Sequence, residues 1–157
     1  MRGELLHKFR ELCRERDLAV THQRTSIYEA LYSMPGHPTP EQVYERVRQQ
    51  IPSISLATVY KTINTFIETG IVREASLHYG SIRLDSNLEP HHHMVCTKCK
   101  TIFDLKQGAI GPVLMKGALP NGFRVQRLAV EVLGLCERCA DSQNNNSLQG
   151  VNQRLAG

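Results

Sequence analysis

Four cysteines form two Cys-x-x-Cys pairs that lie far apart in the sequence, Cys96 with Cys99 and Cys136 with Cys139. Each pair fits a tight turn that aims both sulfurs at one ion, and four thiolates select zinc strongly. Because a tetrahedral four-cysteine site leaves no coordination position open, we expect a structural zinc. The alternative, a redox-active pair, needs a single Cys-x-x-Cys in a thioredoxin-like context, which this chain lacks.

A run of three histidines precedes the first cysteine pair. In an extended segment His91 and His93 point to one face and His92 to the other, where we expect a structural or exposed residue. Carboxylates flank the run, and a further histidine starts a predicted helix, so the candidate ligands are His37, Asp85, His91, His93 and Asp104. This mixed nitrogen and oxygen shell suits iron(II) or manganese(II). The three residues outside the run also have ordinary alternatives as cap, turn or strand-edge residues, and His37 joins only if two domains fold together.

The chain has 157 residues and a formal net charge of +4 at pH 7, which is compatible with nucleic-acid binding without establishing it. It has no apolar run of about 18 residues, and its N-terminus lacks the features of a secretory signal, so we expect a cytoplasmic protein. In a reducing compartment the five cysteines do not indicate a disulfide framework. The fifth, Cys13, is expected to be a buried apolar residue of a helix.

The first half of the chain has the apolar periodicity of helices. We predict helices over residues 4–16, 21–34, 39–51 and 53–69. Thr39 suits an N-cap, Pro40 the first helical position, and Gly70 the end of the fourth helix. A hairpin is predicted over residues 71–84, with its turn at Tyr79-Gly80. Helices followed by a two-stranded hairpin are the order of a winged helix.

The fourth predicted helix has a polar face opposite an apolar stripe. The stripe contains Leu56, Val59, Ile63, Phe66 and Ile67, and the outward face contains Ser55, Thr58, Lys61, Thr62 and Thr65 with Tyr60 at its edge. Hydroxyl groups and Lys61 can bind phosphates or base edges, and a tyrosine ring can pack on a thymine methyl group. A polar face is more often only solvated, so the winged-helix order carries this prediction. The predicted DNA contacts are Arg24, Ser55, Thr58, Tyr60 and Lys61.

From about residue 92 onward the chain has β-branched runs, turn residues and the cysteine pairs. The predicted fold class is α+β, an N-terminal winged-helix DNA-binding domain plus a C-terminal α/β dimerisation domain with a four-cysteine zinc site. We place the domains at residues 1–84 and 91–141, a hinge at 85–90 and a polar, disordered tail at 142–157. A long strand over residues 123–135 is the expected contact of a homodimer.

Six motifs are specific to one known family. They are Thr21-His22-Gln23-Arg24, Gly36-His37-Pro38-Thr39, Ala57-Thr58-Val59-Tyr60-Lys61-Thr62, Glu68-Thr69-Gly70-Ile71-Val72, His91-His92-His93-Met94-Val95-Cys96 and Gly134-Leu135-Cys136-Glu137-Arg138-Cys139. With them the chain resembles the ferric uptake regulator (Fur) family over residues 5–140. The resemblance implies homodimers that bind palindromic double-stranded DNA operators while a sensory metal is present, and release them when the metal is lost or its site is oxidised.

Within the family the chain is most similar to the peroxide-sensing (PerR) branch, because Asp104 stands where iron uptake regulators commonly have glutamate. The resemblance implies that iron(II) reacts there with hydrogen peroxide and that a ligand histidine, His37 or His91, is oxidised. Lys100 replaces a glycine that is common after the first cysteine pair. With Pro90 and Leu128 in place of further ligands, we expect one structural zinc and one regulatory iron or manganese per subunit.

The predicted function is a metal-dependent, DNA-binding transcriptional repressor that senses hydrogen peroxide through iron-catalysed oxidation of a ligand histidine. The sensory metal ties the two domains into the arrangement that fits the operator. Within the same class the alternative is a regulator of metal uptake that senses iron, manganese or zinc availability. Two other classes are a metalloenzyme that activates water, for which no general base stands out, and a zinc-stabilised interaction module.

Overall fold

The computed structural model describes residues 2–75, 82–106, 108–111, 113, 117, 119–125 and 128–142. The chain forms two compact units, Met1–Glu89 and Pro90–Gly157. The predicted hairpin turn at Tyr79-Gly80 and nearly all of the predicted tail lie outside the described residues. Within the described part of the chain, no helix is long and apolar enough to cross a membrane.

Four helices build the first unit, α1 (Arg2–Glu15), α2 (His22–Ser33), α3 (Pro40–Val47) and α4 (Leu56–Glu68). The side chains of Thr21, Thr39 and Ser55 precede α2, α3 and α4, and each accepts the backbone amide three residues ahead. Gln42 completes a capping box at α3. Because the first amides of a helix have no partner inside it, these hydroxyl caps begin three helices close to where the sequence predicts them.

The four helices pack around an apolar core with aromatic residues at its centre. Phe9 of α1 stacks on Tyr28 of α2 with ring centroids 4.5 Å apart, and Phe66 of α4 meets both rings edge-on. Cys13 is also buried in this core. Large rings from three helices therefore fix how those helices pack together.

A short antiparallel strand pair follows α4. Strand β1 (Arg73–Glu74) pairs with β2 (Leu84–Asp85), so that Arg73 is opposite Asp85. The amide of Leu84 donates to the carbonyl of Pro38 at 2.9 Å, which ties β2 to the segment that precedes α3. Four helices followed by this ribbon confirm the predicted winged-helix order.

The second unit contains a three-stranded sheet in the order β4-β3-β5. Strand β3 (His92–Cys96) is antiparallel to β4 (Ile102–Leu105) and parallel to β5 (Glu131–Gly134). The long strand predicted over residues 123–135 is therefore wrong in extent, because its described residues before Glu131 are irregular. Strand propensity needs a partner to form a ladder, and β3 is only five residues long.

The side chain of Arg16 caps the C-terminal end of α4. Its Nε donates to the carbonyl of Thr69 at 2.6 Å, across 53 positions of sequence. The last carbonyls of a helix have no partner inside it and carry the negative end of the helix dipole, which a guanidinium offsets. Arg16 therefore fixes α4 against the end of α1.

Replacing Arg16 with alanine is expected to lower the free energy of unfolding of the first unit by about 1–2 kcal/mol, because a charged hydrogen bond at a helix end is lost. Urea unfolding followed by circular dichroism measures the change. The control is Arg14→Ala, whose side chain is 78% exposed and pairs at the surface with Glu11. Equal losses in both variants would contradict the capping role.

Candidate functional site

The sulfur atoms of Cys96, Cys99, Cys136 and Cys139 lie within 4.8 Å of one another. The Sγ atoms of Cys99 and Cys136 are 3.7 Å apart, too far for a disulfide bond. Zinc holds each sulfur at about 2.3 Å, so two sulfurs of a tetrahedral site are about 3.8 Å apart. The four cysteines therefore have both the donor set and the spacing of a structural zinc site.

Strand pairing brings the two cysteine pairs together. In the parallel β3–β5 ladder Cys96 is level with Gly134, and the amide of Thr97 donates to the carbonyl of Gly134 at 2.8 Å. Cys136 follows two residues later, and the amide of Cys139 donates to its carbonyl at the start of a helix over residues 137–142. Two pairs that are distant in sequence meet because β3 and β5 are neighbours with the same direction.

Polar groups around Cys99 favour its thiolate. The hydroxyl of Thr101 is 3.2 Å from the Cys99 sulfur, and its hydrogen bond, together with the amide of the same residue, lowers the pKa of Cys99 to about 5. The guanidinium of Arg138 interacts most strongly with the same sulfur. Burial raises the pKa of Cys139 to about 12. The thiolate that a metal requires is therefore favoured at Cys99 by its hydrogen bonds and disfavoured at Cys139 by burial.

The turn between β3 and β4 contains a residue in the left-handed conformation. Lys100 has a φ of 61°, and its amide donates to the carbonyl of Cys96 at 2.9 Å. The amide of Cys96 in turn donates to the carbonyl of Thr101 at 3.0 Å. Glycine adopts this φ freely, whereas a lysine costs about 1 kcal/mol. The turn that holds the first cysteine pair therefore forms despite an unfavourable residue.

His91, His93 and Asp104 converge on one face of the sheet. Asp104 is opposite His93 in the β3–β4 pair, and His91 lies two residues before His93, so the three side chains share a face. The two Nε2 atoms are 2.9 Å apart and lie 3.6 and 3.8 Å from Oδ1 of Asp104. Nitrogen ligands about 2.1 Å from one ion and at right angles are about 3.0 Å apart. The three side chains therefore suit a single metal ion.

His92 lies on the other side of the strand from these two histidines. Its Nδ1 accepts a hydrogen bond from the amide of Val130 at 3.3 Å, which ties β3 to the residue before β5. The histidine run thus follows the two-residue period of a strand, with metal-binding chemistry on one side and a structural contact on the other.

His37 and Asp85 belong to the first unit. The hydrogen bond between Leu84 and Pro38 joins the segments that carry them, since His37 precedes Pro38 and Asp85 follows Leu84. Asp85 is buried, and its Oδ1 accepts the amide of Asn87 at 2.8 Å. Three predicted ligands therefore meet in the second unit, and the other two lie on adjacent segments of the first.

The exposed face of α4 differs from the predicted one. Its exposed or partly exposed residues include Leu56, Ala57, Tyr60, Lys61 and Asn64, at the spacing of one helix face. Thr62, predicted to point outward, is 8% exposed, and Leu56, predicted in the apolar stripe, is 38% exposed. Both predictions were wrong. The contribution of α4 to the core begins only at Val59, so Leu56 in its first turn lies beyond the core, whereas Thr62 lies between Val59 and Phe66 on the buried side.

The hydroxyl groups at the start of α4 bond to one another and to the backbone. Ser55 Oγ accepts the amide of Thr58 at 3.1 Å and is 2.9 Å from the hydroxyl of Thr58. Arg24 donates through Nη1 to the carbonyl of Ala19 at 2.7 Å. A hydroxyl has one donor and two acceptor positions, and a guanidinium has five donors. These groups can therefore keep their contacts and still bind a phosphate.

Tyr60 and Lys61 lie side by side on the exposed face of α4. Lys61 is exposed, whereas the hydroxyl of Tyr60 donates a hydrogen bond to the carboxylate of Glu41 in α3. This bond lowers the pKa of Glu41 and raises that of Tyr60. Sequence reasoning missed Glu41, because no periodicity relates residues on two different helices.

The combination of a winged helix, a four-cysteine cluster and a histidine–aspartate group coincides with a known family. The model of the ferric uptake regulator family matches residues 15–133. The chain belongs to the ferric uptake regulator (Fur) family. Members of the Fur family are dimeric DNA-binding regulators rather than enzymes, so the metalloenzyme alternative is wrong.

Named relatives and solved structures are similar to this Fur-family chain over most of its length. The peroxide operon regulator of Bacillus subtilis is 31% identical over 135 residues, which cover 86% of this chain and 93% of that protein. The peroxide-responsive repressor PerR of Staphylococcus epidermidis is 31% identical over 131 residues, 83% and 87% of the two chains. The ferric uptake regulator Fur of Helicobacter pylori has a TM-score of 0.65 at 18% identity, covering 89% and 94%. A zinc-bound manganese uptake regulator has a TM-score of 0.60 at 26% identity, covering 84% and 98%. The predicted resemblance and α+β fold class are confirmed.

Removing zinc with a chelator is expected to unfold the second unit and leave the first one folded. Among the described residues the second unit buries only His93, Val95, Cys96, Ile102 and Cys139, whereas fifteen buried residues form the core of the first unit. A core this small depends on the free energy of metal binding. Hydrogen exchange mapped by peptide will show lost protection in β3, β4 and β5 with α2 and α4 unchanged. Protection lost equally in both units would contradict this.

The variants Lys100→Gly and Lys100→Ala both remove the lysine side chain, but only glycine removes Cβ. Because Cβ is unfavourable at a φ of 61°, the glycine variant is expected to be more stable than the alanine variant by about 1 kcal/mol. Part of this gain is offset by the greater entropy of glycine in the unfolded chain. The measurement is urea unfolding of the zinc-loaded second unit. An alanine variant at least as stable as the glycine variant would exclude strain at this turn.

Proposed function

We propose that this Fur-family chain is a cytoplasmic, metal-dependent transcriptional repressor that binds DNA and responds to hydrogen peroxide. The observation that carries the proposal is the convergence of His91, His93 and Asp104 in a chain 31% identical to two named peroxide regulators. Two imidazoles and a short carboxylate form a mixed site that is separate from the four thiolates. Each chain is therefore proposed to hold one structural and one regulatory metal ion.

The proposed ligands of the regulatory ion are His37, Asp85, His91, His93 and Asp104. Nitrogen and oxygen donors form a harder shell than thiolates do, which suits iron(II) or manganese(II). Because two of the ligands belong to the first unit and three to the second, the full set is available only when both units contribute. Residues 85–90 are the proposed hinge between the DNA-binding and dimerisation domains. An ion that binds one arrangement more tightly shifts the population toward it.

The response to peroxide is proposed to be oxidation of a ligand histidine, His37 or His91. Iron(II), when bound, supplies the electron transfer that activates hydrogen peroxide beside these side chains. In the net reaction one oxygen atom of peroxide enters an imidazole C–H bond, and the other leaves as water. The imidazole is then a poorer ligand, so the site loses its ion and the DNA-binding arrangement is no longer favoured.

A second candidate function is regulation of metal uptake in response to the availability of iron, manganese or zinc. The similarity to the zinc-bound manganese uptake regulator, at 26% identity, favours it. Both candidates use the same ligands and the same DNA-binding surface. They differ in whether peroxide modifies the protein, so one experiment separates them.

We propose that the exposed face of α4 enters the major groove of double-stranded DNA. The proposed contacts are Arg24, Ser55, Thr58, Tyr60 and Lys61, together with the exposed residues Leu56, Ala57 and Asn64. The first group supplies charge and hydroxyl groups for phosphates, and the second adds apolar and amide contacts for base edges. Because a homodimer presents two such helices, the proposed operator is palindromic.

The apolar face of the second unit's sheet is the proposed contact between two copies of the chain. Phe103, Met94 and Val132 lie level across β4, β3 and β5, and each is between 37% and 43% exposed. They line a concavity of about 710 Å³. Exposed apolar patches of this kind are typical of protein interfaces. His91, His93 and Asp104 occupy the opposite face, so the dimer contact and the proposed regulatory site do not compete.

The test loads the zinc-containing protein with iron(II) or manganese(II), adds stoichiometric peroxide, and measures DNA affinity and peptide masses. The DNA is selected from a random pool with the manganese-loaded protein. With iron we expect one added oxygen on the His37 or His91 peptide and loss of DNA binding. With manganese we expect neither change.

The matched variant for this test is Asp104→Glu, which keeps the charge but lengthens the carboxylate. We expect it to retain metal-dependent DNA binding and to become less sensitive to peroxide. An iron-loaded chain that binds DNA and stays unmodified by peroxide favours the metal-uptake function instead. If removing the regulatory metal while zinc is retained does not change DNA affinity, both candidates are wrong.

A further inference from the structure

One carboxylate stands among the residues proposed to face DNA. Glu41 is exposed in the first turn of α3, where the helix dipole favours a negative charge. The N-cap Thr39 holds this turn through its capping box with Gln42, so the position of Glu41 on the surface is well defined. A negative charge near DNA phosphates opposes binding, so we asked what role of the Glu41 carboxylate offsets this repulsion.

The contacts of Glu41 suggest what that role is. Its carboxylate accepts the hydroxyl of Tyr60, 19 residues away on α4, and Arg83, next to β2, attracts the same carboxylate. The hydrogen bond from Tyr60 to Glu41 thus connects α3 with the exposed face of α4. A hydrogen bond to a charged acceptor is stronger than one between neutral groups, so it restricts the rotamers of the tyrosine ring.

We propose that Glu41 is a positioning residue that determines DNA specificity by fixing Tyr60 on the exposed face of α4. This inference rests on the proposed DNA-binding function. The Glu41 side chain then has two opposite effects on DNA binding. The charge of Glu41 weakens binding to any DNA, because that binding depends on phosphate contacts. The hydrogen bond strengthens discrimination, because only a fixed side chain contacts one base step better than another.

Two substitutions separate the charge from the hydrogen bond. Glu41→Ala removes both, whereas Glu41→Gln removes the charge and keeps an oxygen that accepts the Tyr60 hydroxyl. We expect both variants to bind non-specific DNA more tightly than the unchanged protein. Only Glu41→Ala is expected to lower the ratio of operator to non-specific affinity, by about tenfold, the effect of losing one charged hydrogen bond. Recovery of the ratio in Glu41→Gln is a result that a purely electrostatic role cannot produce.

Two further variants complete the design. Glu45→Ala removes a charge from the same helix, one turn later, where the carboxylate pairs with Arg48 at 3.0 Å and not with Tyr60. It is expected to leave the affinity ratio unchanged. Tyr60→Phe removes the hydroxyl alone and should lower the ratio as Glu41→Ala does. Combining Tyr60→Phe with Glu41→Ala should lower the ratio no further, because both changes break the same bond.

The measurements are dissociation constants of the manganese-loaded, zinc-containing protein for a DNA site selected from a random pool and for a scrambled site, at several salt concentrations. Circular dichroism checks that each variant has the helix content of the unchanged protein. If the unchanged protein does not discriminate between the two DNAs, the proposed function itself fails. If it does discriminate, and Glu41→Ala keeps the ratio or Glu45→Ala lowers it equally, only the role of Glu41 is overturned.

Discussion

The pairing of β3 with β5 is the constraint on which the second unit depends. Parallel neighbours need a long connection, and here residues 97–130 separate two strands that form only a four-residue ladder. Four sulfurs close the end of this ladder at the spacing of a tetrahedral zinc site. The zinc site therefore compensates for a small core. It also stabilises the register in which His93 of β3 lies level with Glu131 of β5.

That register gives the sheet two chemically different faces. Alternate residues of a strand point to opposite sides, so His93 and Asp104 share one face while Met94, Phe103 and Val132 share the other. A shift of one residue in the β3–β4 pairing would move the Asp104 carboxylate to the face opposite His93, and a shift in the β3–β5 pairing would remove Val132 from the apolar face. The metal chemistry and the proposed dimer contact thus depend on the same hydrogen bonds.

The first unit has a larger core than the second, and its exposed helix α4 is fixed at both ends. Ser55 caps the start of α4 and the guanidinium of Arg16 caps its end. Between these caps, Val59, Ile63 and Phe66 anchor the helix in the core. The exposed side chains of α4 therefore project from a rigid support, and Glu41 of the neighbouring helix restricts one of them.

The sequence by itself determined the Thr39 cap of α3, the two cysteine pairs and the alternation of the histidine run, because each depends on neighbouring residues and a local backbone period. The predicted domain limits, ligand set and DNA contacts remain proposals. Only the tertiary structure decided where β5 begins, which side of α4 is exposed and that Glu41 meets Tyr60. A strand can extend only as far as its partner does, and the burial of Thr62 or the exposure of Leu56 depends on where the core ends. These outcomes depend on contacts between distant segments, and no local pattern in the chain records such contacts.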